Sequence, residues 1–288
     1  MRDSYQGFRV LLVHAHPDDE TINNGATMAM YAALGASVTL VTCTRGEEGE
    51  VLIPELSHLA ANAADSLGHH RVTELALAMK ELGVADHRFL GEGAKLYRDS
   101  GMMGTEPNNR PDVFWQADIE EASDLLVQTI DEVKPHVLIT YDEFGGYGHP
   151  DHIQAHRVAM RAAEKSAWDI PKIYWNVMPV SVIQEGIDAM KGIDSDFWGA
   201  EKAEDLPFAK DDSFVHALVD GNAYVEKKMN AMKAHATQIA IDGPFFALSN
   251  NVGLQVWGNE YYTLVKGEKS GPFNEKGYES DLFAGISL

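Results

Sequence analysis

Short apolar segments alternate with segments of helical periodicity along the first 180 residues, and this alternation limits the possible folds more than any other feature. Five segments have the length and composition of strands buried on both faces: FRVLLVHA (8–15), SVTLVTCT (37–44), HRFLG (87–91), HVLITYD (136–142) and KIYWNVM (172–178). Between them, apolar residues recur at helical spacing in four segments: 23–36, 61–84, 117–135 and 151–167. Strands that alternate with helices of this length predict βαβ units and a parallel sheet.

The pattern becomes less regular after about residue 180. Helical spacing recurs in 181–193 and 222–240, strand-like segments follow at 214–220 and 260–267, and IDGPFFALSNNVG (241–253) is typical of a loop. We therefore expect an α/β fold of the Rossmann-like type. It would contain a mostly parallel sheet with helices on both faces, plus a smaller C-terminal α+β portion.

Charge and cysteine content limit the partners and the compartment. The 288 residues include 23 Lys and Arg against 44 Asp and Glu, a formal net charge of −21. This charge disfavours nucleic acid and anionic membranes as partners, because both need basic patches, and it favours a small-molecule substrate. The single cysteine, Cys43, excludes an intrachain disulfide, and neither a signal peptide nor a membrane span is indicated, so we expect a cytoplasmic protein. The sequence indicates no oligomeric state.

Three polar clusters follow predicted strands. They are HAHPDDE (14–20) after the first strand, TRGEEGE (44–50) after the second and DEFGGYGHPDH (142–152) after the fourth. In open parallel sheets, ligands bind beyond the carboxyl ends of the strands. We therefore expect the three clusters to converge at one edge of the sheet.

The first and third clusters contain a possible metal site. His16, Asp19 and His152 form a set of two imidazoles and one carboxylate, as a catalytic Zn²⁺ uses, and Fe²⁺ also suits such a set. Asp18 would then lie free of the metal beside its bound water, where a general base belongs. We assign this metal-binding catalytic core to residues 1–180 and expect residues 181–288 to pack on it and roof the site.

Two further side chains of the third cluster have possible roles near the metal. His149 would face the substrate oxygen as an acid or as a stabiliser of the oxyanion. Asp151 would orient one of the histidines, as carboxylates behind metal ligands commonly do.

Simpler interpretations exist for each cluster taken alone. Acidic residues at a helix start complement the helix dipole, Asp151 is a possible helix cap, and His14, inside an apolar strand, is typical of a hydrogen-bonded core histidine. These interpretations do not explain why both histidine-containing clusters follow strands. A nucleotide site is disfavoured because TRGEEGE offers only Arg45 as a cation and lacks the G-x-G-x-x-G spacing.

AHPDDE with a later HPDH, in this order of strands and helices, resembles the zinc-dependent N-acetylglucosaminyl(-phosphatidyl)inositol deacetylase family, also called LmbE-like. The similarity extends over nearly the whole chain, through VTCTRGEEGEV, YRDSGMMGT, VLITYDEFGGYGHPDH, AHATQ and ESDLFAGI. The similarity is greatest to the actinobacterial members of this family that act in mycothiol biosynthesis. The resemblance to these members implies removal of acetate from 1-D-myo-inositol 2-acetamido-2-deoxy-α-D-glucopyranoside.

The resemblance also implies roles for individual residues. It implies zinc on His16, Asp19 and His152, with Asp18 as the general base. It implies His149 as the acid and oxyanion partner, Tyr147 closing on the substrate carbonyl and Asp151 tuning His149. The residues that would hydrogen-bond the sugar hydroxyls are Arg71, Asp99 and Glu50.

Alternative functions remain open at this point. The sister mycothiol S-conjugate amidases typically carry a Lys soon after HPDDE and the sequence GGYPHPDH, whereas this chain has TINNG and Gly148. Both departures favour the deacetylase. A non-haem iron oxygenase would use the same ligand types but usually on a β-barrel. A non-catalytic metal-dependent glycan binder would not need Asp18 and His149.

Overall fold

The computed structural model describes residues 2–189, 202–240 and 257–288. The loop predicted at 241–253 and the last residues of the helix predicted at 181–193 lie outside the described residues. The strands are β1 Arg9–His14, β2 Ser37–Thr42, β3 Asp86–Phe89, β4 Val137–Thr140, β5 Lys172–Pro179, β6 Ala209–Lys210, β7 Ala217–Asp220 and β8 Asn259–Lys266. The α-helices are α1 Asp19–Ala33, α2 Leu67–Leu82, α3 Ile119–Val133, α4 Gly145–Gly148, α5 Pro150–Lys165, α6 Val180–Ala189 and α7 Val225–Ala234.

The strands form one sheet with the order β3-β2-β1-β4-β5-β8-β7, and β6 pairs with the end of β5. Strands β1 to β5 are parallel neighbours, whereas β8 runs antiparallel to β5 and to β7. The predicted α/β class with a mostly parallel sheet is therefore confirmed. The strand order reverses between β1 and β4, and a sheet of this kind binds its ligand at such a point.

Helices cover both faces of the sheet. Alternate residues of β1 point to opposite faces, so this strand contributes to two separate cores. Val10 and Leu12 pack in one core with apolar residues of α1, α2 and α7. Leu11 and Val13 pack in a second core with residues of α3 and α5. Burial of β1 on both faces explains its continuous apolar sequence.

The predicted start of α1 at residue 23 was wrong, since the helix begins at Asp19. The acidic residues Asp19 and Glu20 form its first turn, where negative charge is favourable, and the carbonyl of Asp18 accepts the N–H groups of Thr21 and Ile22. The predicted start of α2 at residue 61 was also wrong. Tight turns, including one with Asp65 at a φ of 49°, occupy that segment, and α2 begins at Leu67.

The C-terminal segment is attached to the sheet by a buried ion pair. The Glu279 carboxylate accepts hydrogen bonds from Lys172 Nζ at 2.6 Å, from the Tyr174 hydroxyl at 2.6 Å and from the amide of Ser270 at 2.6 Å. Lys172 and Tyr174 lie on β5, so this cluster holds the last residues against the centre of the sheet. Pairing changes from parallel to antiparallel after β5, and the division of the chain near residue 180 stays a prediction.

None of the helices in the described part of the chain combines the length and the apolar character that a membrane crossing requires.

We expect Glu279→Ala to lower the free energy of unfolding by about 3–5 kcal/mol, because it leaves the Lys172 ammonium buried without its partner. Asp169→Ala is the matched control, since it removes the partner of Lys266 from an ion pair whose carboxylate is 91% exposed. That variant should change the free energy by less than about 1 kcal/mol. Urea denaturation followed by circular dichroism measures both values. Equal effects of the two variants would contradict the stabilising role of the buried pair.

Candidate metal centre

The carboxyl ends of β1 and β4 bring the first and third polar clusters together. His16 and Asp19 follow β1, and His152 lies in the first turn of α5, after β4. The three residues are 6%, 8% and 2% exposed. Asp19 Oδ2 lies 3.4 Å from His16 Nδ1 and 3.3 Å from His152 Nε2. The backbone N–H of His16 donates to the same oxygen at 2.9 Å, which fixes the carboxylate in this position.

Hydrogen bonds at the far side of each imidazole indicate which nitrogen carries the lone pair. His152 Nδ1 lies 3.1 Å from the carbonyl oxygen of Gly145, which can only accept, so Nδ1 carries the proton. Its Nε2 then presents a lone pair, and this buried atom has no hydrogen-bond partner among the described residues. His16 Nε2 lies 3.2 Å from a carboxylate oxygen of Asp151, which leaves Nδ1 as the ring nitrogen that faces Asp19.

Three possible ligand atoms therefore meet around Asp19: His16 Nδ1, Asp19 Oδ2 and His152 Nε2. The orphaned Nε2 of the buried His152 and the carboxylate beside it are a donor set that fits a bound metal ion. Two imidazole nitrogens and one carboxylate oxygen are ligands typical of Zn²⁺ and of Fe²⁺. The Asp151 carboxylate behind His16 is the partner that a metal-bound histidine commonly has.

The charges around the site also favour a cation. Burial would lower the pKa of His16, but the neighbouring carboxylates of Asp99, Asp151 and Asp19 raise it well above its ordinary value. Burial would raise the pKa of Asp19, but the imidazoles of His152 and His16 hold it well below its usual range. The clustered carboxylates therefore make this site favourable for positive charge.

Two groups of side chains that do not include Asp19 have ligand atoms that all lie within 4.8 Å of one another: His16, His149 and His152, and His16, Asp99 and Asp151. His149 Nδ1 accepts the backbone N–H of Asp151 at 3.1 Å, so its proton lies on Nε2 and that nitrogen is a donor rather than a ligand. Asp99 accepts the N–H groups of Gly101 and Glu48, and Asp151 accepts Ser100 N–H and Oγ–H. Because His149 is a donor and both oxygens of Asp99 and of Asp151 accept protein hydrogen bonds, we keep His16, Asp19 and His152 as the candidate ligand set.

Asp18 lies beside the metal site and lines the same cavity. It precedes α1 with a φ of 119° and a ψ of −36°, and its side chain makes no capping bond in the described structure. Its carboxylate instead accepts a hydrogen bond from an Arg71 Nη atom at 3.1 Å. Burial raises the pKa of Asp18 to about 6, although the Arg71 guanidinium opposes the shift.

His149 and Tyr147 lie on the other side of the site. The ring centroids of His149 and His16 are 4.6 Å apart, and Tyr147 lies 5.0 Å from His152 and 6.2 Å from His149. Burial, together with the nearby His16 and His152, lowers the pKa of His149 to about 3, so its imidazole is neutral at neutral pH. Tyr147 is 45% exposed and is flanked by Gly146 and Gly148, which both have a positive φ.

The predicted tuning of His149 by Asp151 takes a different form in the structure. The Asp151 carboxylate faces His16 and Ser100, and no bond from it to His149 is seen among the described residues. Asp151 contacts His149 through its backbone N–H, because His149 is the N-cap of α5 and accepts this group.

The three residues predicted to bind the sugar all line the cavity in front of the metal site. Arg71, on α2, is 2% exposed and also donates to the carbonyl oxygens of Gly46 and Pro17. Asp99 is 3% exposed and lies 3.6 Å from His16 Nε2. Only Glu50 has an exposed side chain at the rim.

The cavity has a volume of about 1340 Å³ and an apolar wall that the sequence did not predict. Its residues come from the end of β5, from α6 and from the segment after it: Val177, Met178, Ile183, Ile187, Leu206 and Phe208. Their spacing predicts only ordinary amphipathic elements, so no local signal assigns them to a site.

Tyr141 was also missed, although it comes directly after β4. Its ring stacks on His152 with centroids 4.3 Å apart, and its hydroxyl accepts the N–H of Ala15 and bonds His14 Nδ1 at 3.1 Å. His14 is fully buried and also bonds Asn24 at 2.7 Å. It is the hydrogen-bonded core histidine that its place within a strand predicts.

Comparison with known proteins gives consistent results. The family model described as PIG-L: GlcNAc-PI de-N-acetylase matches residues 11–163. A 1D-myo-inositol 2-acetamido-2-deoxy-alpha-D-glucopyranoside deacetylase 1 from Catenulispora acidiphila is 58% identical, over 97% of this chain and 90% of that protein. An enzyme named as the same deacetylase from Geodermatophilus obscurus is 58% identical, over 96% of this chain and 98% of its own length.

Among solved structures, the N,N'-diacetylchitobiose deacetylase from Pyrococcus horikoshii has a TM-score of 0.56 and 19% identity. The match covers 90% of this chain and 84% of that one. At this identity the likeness shows the fold alone.

We expect Asp19→Ala to abolish stoichiometric metal binding, because it removes the carboxylate oxygen that lies between the two imidazole nitrogens. Asp99→Asn is the control, since Asp99 lies 3.6 Å from His16 but each of its oxygens already accepts a backbone N–H group. It should keep close to one metal ion per chain. Elemental mass spectrometry after dialysis measures the metal content, and circular dichroism verifies folding. Equal metal loss in Asp99→Asn would favour the set of His16, Asp99 and Asp151.

Proposed function

The chain belongs to the PIG-L family of GlcNAc-PI de-N-acetylases, and on that premise we propose that it removes acetate from 1D-myo-inositol 2-acetamido-2-deoxy-α-D-glucopyranoside. It is a hydrolase of amide bonds, and the reaction is the deacetylation step of mycothiol biosynthesis that the sequence resemblance implies. The observation that carries the catalytic assignment is the meeting of His16 Nδ1, Asp19 Oδ2 and His152 Nε2, with a separate carboxylate, Asp18, beside them.

The proposed metal ligands are His16 Nδ1, Asp19 Oδ2 and His152 Nε2. We assign Zn²⁺ as the metal, on the basis of the ligand types and the resemblance, with Fe²⁺ as the other ion that suits these ligands. When bound, such an ion acts as a Lewis acid on the amide carbonyl and increases the acidity of water.

Asp18 is the proposed general base. Its carboxylate lines the cavity, and the burial that raises its pKa to about 6 makes it a stronger base than an exposed aspartate. It would take a proton from the water that attacks the acetamide carbon. Asp18 then holds that proton when the C–N bond breaks, and it can donate the proton to the leaving amine.

His149 is proposed to stabilise the charge on the carbonyl oxygen. A neutral imidazole whose Nδ1 accepts a hydrogen bond has its N–H at Nε2, available for donation to an oxyanion. The depressed pKa favours this role over that of a proton-donating imidazolium. The hydroxyl of Tyr147 would be a second donor. Asp151 supports both sides of the site, since it orients His16 through its carboxylate and His149 through its backbone.

Arg71, Asp99 and Glu50 are the proposed contacts of the sugar and inositol hydroxyls. Glu50 is the most available, because its side chain is exposed at the rim. Arg71 and Asp99 already bond protein groups, so they would hold the substrate with the hydrogen-bonding capacity that remains. We also propose that the protein acts in the cytoplasm on this small molecule.

We expect Asp18→Ala to keep its metal and to lose about 10²–10⁴-fold in kcat, because general base catalysis is typically worth this much. His152→Ala should lose metal and activity together. Acetate release under saturating substrate and elemental analysis of the same samples separate the two variants. Loss of zinc from Asp18→Ala with high residual activity would show that the roles are assigned wrongly.

A mycothiol S-conjugate amidase is the second candidate, and the size and apolar wall of the cavity favour it. The volume of about 1340 Å³ is above the range of about 300–1,000 Å³ common for small-ligand pockets, which leaves space for a bulky acyl group. The mostly parallel sheet argues against an iron oxygenase, which usually has a β-barrel.

Side-by-side assays should give a higher kcat/KM for the acetylated pseudodisaccharide than for a mycothiol S-conjugate. The reasons are TINNG without a Lys and Gly148 in place of proline. The metal-loaded protein is used for both assays, and acetate and free amine are quantified. A ratio in favour of the conjugate would replace the first candidate with the second, and oxygen uptake without release of acetate or free amine would exclude both.

A further inference from the structure

A buried polar cluster lies beneath Asp18 and has no part in the mechanism above. It consists of Glu20 and Thr21, in the first turn of α1, and His235, which follows α7. Glu20 and His235 are both 0% exposed. Glu20 Oε1 lies 2.9 Å from His235 Nε2 and 2.6 Å from Thr21 Oγ1. Two donors therefore hold one oxygen of this carboxylate.

The other oxygen of Glu20 holds the backbone of Asp18. The N–H of Asp18 donates to Glu20 Oε2 at 3.0 Å. Asp18 has a φ of 119°, in a region that residues other than glycine seldom adopt. Such a conformation persists only where surrounding contacts impose it. The bond from Glu20 is such a contact, and it acts on the residue whose side chain faces the cavity.

The direction of the Asp18 side chain follows from this backbone conformation. In the first position before a helix, an aspartate commonly accepts an N–H of the first turn with its own carboxylate. Asp18 makes no such bond in the described structure, and its carboxylate points to Arg71 at 3.1 Å instead. The strained backbone thus frees the carboxylate for chemistry.

We propose that Glu20 and His235 are positioning residues for the general base: His235 fixes the Glu20 carboxylate, and Glu20 holds Asp18 in the conformation that directs its side chain into the cavity. The inference rests on the proposed function, because it assumes that Asp18 is the base. Neither residue touches the substrate, and both act through Asp18.

A purely structural role is the alternative, since Glu20 and His235 join α1 to the segment after α7. The same segment is also attached to α2, where the buried Glu74 carboxylate accepts the N–H of Thr237 at 2.8 Å and its hydroxyl at 2.7 Å. No contact between Glu74 and Asp18 is seen within the described residues. Glu74→Ala is therefore a matched control that weakens the same attachment without touching the base.

The test is a double-mutant cycle in the metal-loaded protein, with kcat, KM, metal content and thermal stability measured for each variant. Glu20→Ala should lower kcat about 10- to 100-fold, as a misplaced catalytic group does, with metal content unchanged and KM within about threefold. In the Asp18→Ala background, the same substitution should change kcat by less than about twofold, because its effect passes through a side chain that is absent.

Two further variants extend the cycle. His235→Ala should lower kcat in the Asp18 protein, and it should not add to the effect of Glu20→Ala. Glu20→Gln retains one acceptor oxygen, so it should lose less activity than Glu20→Ala and show the same non-additivity. It replaces Glu20→Ala in the cycle if that variant does not fold.

Each outcome has a definite meaning. The inference would be overturned if Glu20→Ala lowered kcat as much in the Asp18→Ala background as in the Asp18 protein, or if Glu74→Ala lowered kcat as much as Glu20→Ala. Either result would give the cluster a purely structural role. Unchanged kcat in Glu20→Ala, with Asp18→Ala inactive, would overturn the inference and leave the proposed function intact. Unchanged kcat in Asp18→Ala would overturn the role of the base and the inference with it.

Discussion

The fixed convergence of His16, Asp19 and His152 is the constraint on which the rest of the site depends. Asp19 Oδ2 faces His16 Nδ1 at 3.4 Å and His152 Nε2 at 3.3 Å, and neither imidazole can turn away. Each ring is held from behind, His16 by Asp151 and His152 by the carbonyl of Gly145. The protein thus holds the possible ligand atoms in place through hydrogen bonds to the back of each ring. This is how a preorganised metal site differs from a chance group of polar residues.

This geometry requires the parallel pairing of β1 with β4. The two strands are aligned from Val10 with Val137 to Leu12 with Ile139. The segments that follow them, with HPDDE after β1 and HPDH after β4, therefore begin side by side. Cores on both faces of the sheet fix this alignment, and Tyr141 reinforces it, since it follows β4, stacks on His152 and bonds the backbone of Ala15. The geometry of the metal site therefore depends on the packing of the sheet, because a shift in β-strand register would separate the ligands.

The sequence predicts the parts of this arrangement that depend on local periodicity. Buried strands with polar residues at their ends predict both the parallel sheet and the meeting of His16 with His152. It predicts a histidine as the partner of Asp151 but not which one. It also does not predict the apolar wall of the cavity or the pairing of Glu20 with His235, which are 215 residues apart. Such contacts depend on how α1 and α7 pack, and no spacing rule reports this. The roles of Tyr147 and Arg71 came from family resemblance rather than from any physical pattern.

The three consecutive acids Asp18, Asp19 and Glu20 show why the start of α1 matters. Within an α-helix, successive side chains point about 100° apart, so Asp19 and Glu20 diverge, one to the metal site and the other into the buried cluster with His235. Asp18 precedes the helix with a positive φ, and this gives its side chain a third direction, toward Arg71 and the cavity. A helix that began at residue 23, as the periodicity predicted, would leave all three acids in a loop without fixed directions. The helix start at Asp19 is therefore the structural basis for assigning three different roles to three adjacent carboxylates.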